Sequence, residues 1–98
     1  MLFALICADK PGALEIRKAT RPAHLDWLKS LGPALKFAGP FLTSDGAGPC
    51  GSLIVFEAAS LDQARMTAAG DPYARAGLFA TADIKPWVWA VNAPSGAS

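Results

Sequence analysis

The sequence predicts a small α+β domain in which two helices pack on one face of a four-stranded antiparallel sheet. Four apolar segments have the length and the β-branched or aromatic content of strands, and helical patterns follow the first and the third of them. No segment is repeated along the chain. Hydrophobic residues make up 52% of the 98 positions, which suits one globular domain with a single core.

The first half of the chain predicts a strand, a helix and a break. The strand covers 2–8, a continuous apolar run that ends at the turn residues "DKPG". Residues 13–20 fit either a short helix or an ordered loop. A helix is predicted to begin near Thr20–Pro22, since proline is tolerated in a first turn, and to continue to about Leu31, before the Gly-Pro pair at 32–33.

The second half predicts three strands and two helices. In order, these are a strand at 35–43, a loop at 43–51, a strand at 52–58, a helix at 60–70, a short helix at 71–80 and a last strand at 81–91. Ser60 caps the longer helix and Gly70 ends it, while Asp71 and Pro72 begin the short one. The order β-α-β-β-α-β is the ferredoxin-like arrangement, with both helices on one face of the sheet. We expect one domain over 1–91 and a mobile tail over 92–98.

The other face of this sheet is predicted to be apolar as well. In the last strand, Trp87 and Trp89 share one face while Ile84 and Val88 share the other, and the first strand is apolar on both sides. Two helices cannot cover both faces, and exposure would forfeit roughly 1.5–3 kcal/mol for each large side chain. We therefore expect a homodimer or larger homo-oligomer, packed sheet against sheet, whose second copy closes a cavity. Loops folded over the sheet are the alternative.

Composition and charge argue against several other kinds of partner. The net charge is +1 and the nine basic residues form no run, so a nucleic-acid surface is not expected. No apolar run approaches the roughly 20 residues of a membrane helix, and the opening "MLFALICA" does not resemble a signal peptide. Cys7 and Cys50 form no disulfide framework, so we expect the protein to be located in the reducing cytoplasm. One histidine and two distant cysteines have no metal-ligand spacing, and no nucleotide or flavin motif occurs, so we expect no cofactor.

His24, the only histidine, is the main candidate for chemistry. It shares a helical stripe with Leu28, Leu31 and Leu35, which places the ring on the buried side of its helix, one turn from the predicted start. At that position the helix dipole and partial burial would keep the imidazole uncharged and able to accept a proton. A core histidine bonded to the backbone fits the same pattern, so the residues alone leave both interpretations open.

Five further residues are candidates for the same site. Asp71 in "GDPY" either caps its helix only, or caps it with one oxygen while the other oxygen orients the imidazole. Arg17 and Arg21 fit either a clamp for an anionic group or solvated surface charges. Tyr73 fits a hydrogen-bond donor or a cover for the core. Ser52 has no base beside it in the sequence, so the pattern gives little support to a nucleophile.

Taken together, several of these segments resemble the YciI-like (YCII-related) proteins. They are "RPAHLDWLKSLG", "FAGPFL", "GSLIVFEA", "AGDPYARAGLF" and "IKPWVW", and the resemblance runs from residue 1 to about 91. It implies a ferredoxin-like protomer assembled as a dimeric α/β barrel, with a site built on His24 and Asp71 and lined by Ser52. It also implies lyases or isomerases that act on small, often aromatic compounds without a metal or an organic cofactor. The loop 43–51 looks individual to this chain, so substrate choice does not carry over if that loop covers the pocket.

The function expected from these observations is proton transfer, of the lyase or isomerase type, on a small anionic or phenolic metabolite. His24 would be the general acid/base and Asp71 its orienting carboxylate, with Arg21 or Tyr73 as the substrate clamp and Arg17 and Ser52 beside them. A non-catalytic ligand sensor or accessory dimer that uses the same cavity is the alternative. A structural dimer without any site is the third interpretation.

Overall fold

The computed structural model describes residues 1–95 and confirms the ferredoxin-like α+β fold. Four strands form one antiparallel sheet in the order β2-β3-β1-β4. The strands are β1 (Leu2–Asp9), β2 (Leu35–Leu42), β3 (Pro49–Glu57) and β4 (Phe79–Trp87); the helices are α1 (Leu14–Ser30), α2 (Leu61–Ala69) and the single turn α3 (Pro72–Arg75). Residues 96–98 of the predicted tail lie outside the described residues. Among residues 1–95, none of the helices combines the length and the apolarity that a bilayer crossing requires.

The first helix is longer than its sequence pattern predicted. A start near Thr20–Pro22 was wrong, because α1 begins at Leu14 and continues through Pro22. Its N-cap residue, Ala13, makes no side-chain cap, so no capping signal marks the true start. Of the two interpretations of residues 13–20, the helix is the one found, as the first part of α1. A proline inside a helix removes one backbone hydrogen bond and costs about 3 kcal/mol in isolation. Pro22 is exposed, whereas the opposite side of α1 is buried, so tertiary packing offsets that cost.

This longer helix changes the electrostatic argument for His24. The residue lies almost three turns beyond Leu14 rather than one turn from a helix start. Because the influence of the helix dipole falls off within the first turn, the predicted effect of that dipole on the imidazole does not apply. The surroundings of His24 must instead be understood from its tertiary contacts.

Strand pairing explains two other differences from prediction. The structure ends β4 at Trp87 rather than at 91, because Trp87 pairs with Leu2, the first residue of β1, and later residues have no partner strand. At its other end β4 begins at Phe79, opposite Asp9. This early start shortens α3 to Pro72–Arg75 where a helix was predicted over 71–80.

The core lies between the helices and one face of the sheet. It contains Phe3, Leu5 and Cys7 of β1, Ile54 and Phe56 of β3, and Ala64 of α2, against which Trp27 and Leu28 of α1 also pack. The helix-facing side of β1 therefore carries the odd-numbered residues, as expected for a strand whose side chains alternate.

The opposite face of the sheet is covered at one end by the chain's own aromatic residues. The Phe37 ring meets Trp87 and Trp89 edge-on, with ring centroids 5.8 and 5.1 Å apart. Phe37 pairs with Val55 and Trp87 pairs with Leu2, so the rings lie on the same face as these two partners, which are 2% and 1% exposed. The two tryptophans, for which a second copy of the chain was the predicted cover, are thus partly buried by contacts within one chain. At the other end of this face, Ile6 and Phe41 remain exposed.

Candidate active site

A cavity of about 190 Å³ opens between α1 and the helix-facing side of β2 and β3. Five of the six predicted site residues line it: Arg17, Arg21, His24, Ser52 and Tyr73. The rest of the wall is apolar or small, and comprises Leu25, Leu28, Ala38, Gly39, Pro40 and Ile54. One chain forms this cavity, and it lies on the other side of the sheet from the exposed apolar face. A second copy packed sheet against sheet would therefore lie on the face away from this cavity, whereas the prediction placed the cavity between the two sheets.

Helical spacing places three of the polar residues together. Arg17, Arg21 and His24 stand at positions i, i+4 and i+7 of α1, which share one face of a helix. The sequence contained this signal, but an expected helix start near Pro22 separated Arg17 from the other two residues. The exposed Arg21 takes part in none of the ion pairs found within residues 1–95.

His24 is hydrogen-bonded to Asp71, which lies 47 positions away in the sequence. The His24 Nδ1 atom is 2.8 Å from Asp71 Oδ1. An ionised carboxylate can only accept, so Nδ1 donates its hydrogen and Nε2 remains as the ring nitrogen that can exchange a proton with a ligand in the cavity. The Asp71 side chain is completely buried, whereas the His24 side chain is 10% exposed. A carboxylate in this position orients an imidazole and stabilises its protonated form.

Asp71 is itself held at the start of α3. Its Oδ1 atom also accepts the backbone N–H of Tyr73 at 2.9 Å, which is the predicted cap. The expectation that one carboxylate oxygen caps while the other orients the imidazole was wrong, because Oδ1 does both. The second oxygen, Oδ2, is buried without a hydrogen-bond partner among residues 1–95. The cap and the imidazole bond therefore depend on the same atom.

Tyr73 contacts both His24 and Arg17 through its ring. The His24 and Tyr73 ring centroids are 4.0 Å apart with 19° between the planes, and the Arg17 guanidinium carbon is 4.7 Å from the Tyr73 centroid. Burial raises the pKa of the Tyr73 phenol, while the positive charges of Arg17 and Arg21 act in the opposite direction. The phenol therefore stays neutral near pH 7 and keeps a proton that it can donate.

Arg17 is anchored by two acceptors. Its Nε and Nη2 donate to the two carboxylate oxygens of Asp9 at 2.7 and 2.8 Å, and Nη2 also lies 2.9 Å from Ser52 Oγ. Burial works to lower the pKa of the Arg17 guanidinium, yet the hydrogen bonds and charge of Asp9 outweigh it, so the pKa is raised. Arg17 is thus a buried cation, which rules out the interpretation of a solvated surface charge.

Asp9 was missed by sequence reasoning. Its position in "DKPG" suggested a turn, whereas the structure makes it the last residue of β1. The signal that could have found it is strand parity, since it continues the helix-facing series Phe3, Leu5 and Cys7.

Gly51 and Ser52 lie within β3, and each has a structural role of its own. A Cβ on Gly51 would overlap the backbone carbonyl oxygen of Cys7, so only glycine allows β1 and β3 to approach this closely. Ser52 follows it on the helix-facing side, opposite Cys7, and lines the cavity. Its Oγ contacts Arg17, a cation that cannot act as a base, which does not favour a nucleophilic serine.

The two cysteines differ in environment, and neither forms part of a metal-binding cluster among the described residues. Burial raises the pKa of the Cys7 thiol to about 12, and the charges of Asp71 and Asp9 act in the same direction. Cys50 is half-buried near the start of β3 rather than in the predicted loop. Across the described part of the chain, no three His, Cys, Asp or Glu side chains come together in a way that could hold a metal ion.

Comparison with known proteins identifies a family and several relatives. The model of the YCII-related domain family matches residues 1–88. The protein YciI of Escherichia coli O6:H1 (strain CFT073) is 37% identical over 94 residues, which cover 89% of this chain and 96% of that protein. Among solved structures, the 5-chloro-2-hydroxyhydroquinone dehydrochlorinase of Burkholderia phenoliruptrix AC1100, in complex with 2,5-dihydroxybenzoquinone, is 34% identical with a TM-score of 0.82. That match covers 90% of this chain and 94% of the dehydrochlorinase.

Proposed function

This chain belongs to the YCII-related domain family, and we propose that it is a cofactor-free enzyme that moves protons on a small phenolic or anionic compound. The reaction is of the lyase or isomerase type. His24 is the general acid/base, Asp71 is its orienting carboxylate, and Arg21, Ser52 and Tyr73 bind the substrate. The observation that carries the proposal is the 2.8 Å contact between His24 and a fully buried Asp71 at the wall of a cavity.

The lining of the cavity favours an oxygen-rich single ring. Its polar groups are mainly donors or cations, since Arg17 and Arg21 are charged and the neutral Tyr73 retains its proton. A volume of about 190 Å³ lies below the ~300–1,000 Å³ typical of drug-sized ligands, which suits one substituted ring. The dehydrochlorinase supports this class, because it acts on a chlorinated hydroxyhydroquinone and was solved with a dihydroxybenzoquinone.

Proton transfer can proceed with the groups that this chain supplies. His24 Nε2 takes the proton of a ring hydroxyl or an adjacent ring carbon, and the released electron pair moves into the ring. A proton then returns to a ring carbon, which gives a keto tautomer and completes an isomerisation. Where that carbon bears a halogen, loss of a proton from a second hydroxyl group then expels the halide with its bonding electron pair. The imidazolium formed at His24 is stabilised by Asp71 and then gives its proton to the product or to water. A positioned base contributes typically 10²–10⁴-fold, which suits an activated ring of this kind.

The test uses the two compounds of the dehydrochlorinase as probes. Purified protein is mixed with 5-chloro-2-hydroxyhydroquinone and chloride release is measured, while 2,5-dihydroxybenzoquinone is titrated by its absorbance. The proposal predicts release that is lost in His24→Ala, with Asp26→Asn, an exposed neighbour on α1, as the matched control. Binding without release, with His24→Ala altering affinity alone, would favour the ligand-sensor alternative. If the protein neither binds the quinone nor releases chloride, the proposed substrate class is contradicted.

Self-association through the exposed sheet face is a second part of the proposal. Ile6 and Phe41, at 40% and 42% exposure, leave an apolar area beside the aromatic residues on that face. Light scattering after gel filtration is expected to give the mass of a dimer, and Ile6→Lys is expected to give that of a monomer. Met66→Lys, at an exposed position on α2, is the control. A wild-type monomer would contradict this part of the proposal but not the part that concerns the cavity, which lies on the other side of the sheet.

A further inference from the structure

Asp9 does not line the cavity, yet its side chain is tied to residues that do. We propose that Asp9 is a positioning residue of the site: by locking the Arg17 guanidinium it makes the Ser52 hydroxyl a hydrogen-bond donor toward a bound oxygen and supports the Tyr73 ring against which His24 stacks. The inference rests on the proposed function, because it concerns how the same cavity presents its groups to a ligand.

The position of Asp9 follows from the alternation of side chains along β1, up to its last residue. The register between β1 and β4 shifts between Ala8 and Asp9, so that Asp9 lies opposite Phe79. The extra residue of this bulge, Ala80, lies on β4, so β1 keeps its alternation and Asp9 continues the helix-facing series of Phe3, Leu5 and Cys7. Here the carboxylate meets Arg17 of α1, and the two side chains are only 8% and 6% exposed. A buried cation requires such a partner, because an unpaired one loses its hydration without compensation.

Both oxygens of Asp9 are used, and this fixes the plane of the guanidinium. The two parallel bonds to Nε and Nη2, at 2.7 and 2.8 Å, allow one orientation of the fork. In that orientation Nη2 reaches Ser52 Oγ at 2.9 Å and the guanidinium carbon lies over the Tyr73 ring. A lysine at position 17 would keep the positive charge. It could not make the two parallel hydrogen bonds to Asp9 or the contact of the planar guanidinium with the Tyr73 ring.

The contact between Arg17 and Ser52 determines where the serine proton can go. A guanidinium has no acceptor, so Ser52 Oγ must accept from Nη2, and its own O–H is left to donate elsewhere. Since Ser52 lines the cavity, that donor is available to an oxygen of a bound ligand. This assignment makes Ser52 a binding donor for a phenolate or carbonyl oxygen.

The same anchor extends toward His24 through Tyr73. Arg17 lies 4.7 Å from the Tyr73 centroid, and Tyr73 lies 4.0 Å from the His24 centroid. If Arg17 is free to move, the Tyr73 ring loses a neighbour, and it is this ring that stacks on the His24 imidazole. Asp9 makes none of these ring contacts itself and acts through Arg17.

The first test uses the ligand-free protein. Because the chain has one histidine and one tyrosine, the ring signals of His24 and Tyr73 in an NMR spectrum are unambiguous. Asp9→Asn is expected to shift both sets of signals, and Arg17→Lys is expected to shift them in the same way. Asp83→Asn, which removes an exposed carboxylate 3.6 Å from Lys85, is the matched control and is expected to leave them in place. Unmoved ring signals in a folded Asp9→Asn or Arg17→Lys variant would overturn the proposal.

The second test measures binding of 2,5-dihydroxybenzoquinone to variants. Asp9→Asn and Ser52→Ala are each expected to weaken binding roughly ten- to a hundredfold, the range for a hydrogen bond to a charged group. The double variant should bind no more weakly than Ser52→Ala, because both changes remove the same donor. Effects that multiply would show that Asp9 does not act through Ser52. If wild-type protein does not bind the probe, the proposed substrate class fails while the ring signals still decide the role of Asp9. Should Asp9→Asn not fold, Arg17→Lys takes its place in both tests.

Discussion

The imidazole of His24 lies nearly parallel to the ring of Tyr73, with centroids 4.0 Å apart and 19° between the planes. The two residues also share an acceptor, since Asp71 Oδ1 receives the His24 Nδ1–H and the backbone N–H of Tyr73. His24 is thus held at its face by a stacked ring and at its edge by a hydrogen bond. A side chain restrained in both ways loses little further freedom when a ligand binds.

Replacing Asp71 with Asn tests the edge contact. The variant keeps the size of the side chain but removes the charge that favours an imidazolium, so turnover should fall by at least tenfold. The free energy of unfolding should fall by about 1–3 kcal/mol, because a buried hydrogen-bonded group loses a charged partner. Urea unfolding and the chloride assay measure both effects. Asp62→Asn, an exposed acidic residue in the first turn of α2, should change stability by less than about 0.5 kcal/mol. Equal behaviour of the two variants would contradict a special role for Asp71.

The ionisation of Tyr73 tests the electrostatics of the ring contact. It is the only tyrosine, so tyrosinate absorbance during an alkaline titration reports this residue alone. Burial raises its pKa, so the midpoint should lie above the ordinary value of about 10. Arg17→Gln should raise it further by removing a cation that favours tyrosinate, whereas Lys85→Gln, an exposed cation on β4, should not. A lower midpoint in Arg17→Gln would show that the cation does not act on this ring.

The Cys7 thiol predicts a pH dependence of stability. Burial raises its pKa from 9.0 to about 12, so between those values the unfolded chain releases a proton that the folded chain retains. Stability should therefore fall as the pH rises across this window, and the fall should be smaller in Cys7→Ala. At pH 8 an aromatic disulfide reagent should modify Cys7 slowly in folded Cys50→Ala and rapidly in urea. Equal rates in the two states would contradict the buried thiol.

Gly51 and Gly39 form a matched pair for testing strand packing. A Cβ on Gly51 would overlap the Cys7 carbonyl oxygen, whereas a Cβ on Gly39 would meet no atom within 4 Å. Neither residue has a positive φ, so strain of the backbone itself does not enter. We expect Gly51→Ala to lower the free energy of unfolding by roughly 1–3 kcal/mol, the usual cost of overpacking, and Gly39→Ala to change it by less. Urea denaturation measures the difference, and equal effects would show that β1 can shift to make room.

Local sequence patterns were sufficient for the fold class and for the ends of several elements. The four apolar segments specified the strands, and the caps at Ser60 and Asp71 appear in the structure as predicted, with hydrogen bonds to Gln63 and Tyr73. Such features involve neighbours in the chain, and their energies are those of propensity, periodicity and capping. The residues left the pairing of His24 with Asp71 open and a family resemblance favoured it, since no local pattern joins residues 47 positions apart.

By itself, then, the sequence determined the layers of this protein and the polar residues of its cavity. Only the tertiary structure decided that α1 runs through Pro22, that Arg17 is a buried cation held by Asp9, and that the cavity lies on the helix-facing side of the sheet. The physical reason is the same in each case. A local penalty, such as an interior proline or the desolvation of a charge, is outweighed by contacts that form only when distant segments meet, as Arg17 meets Ser52 across 35 positions.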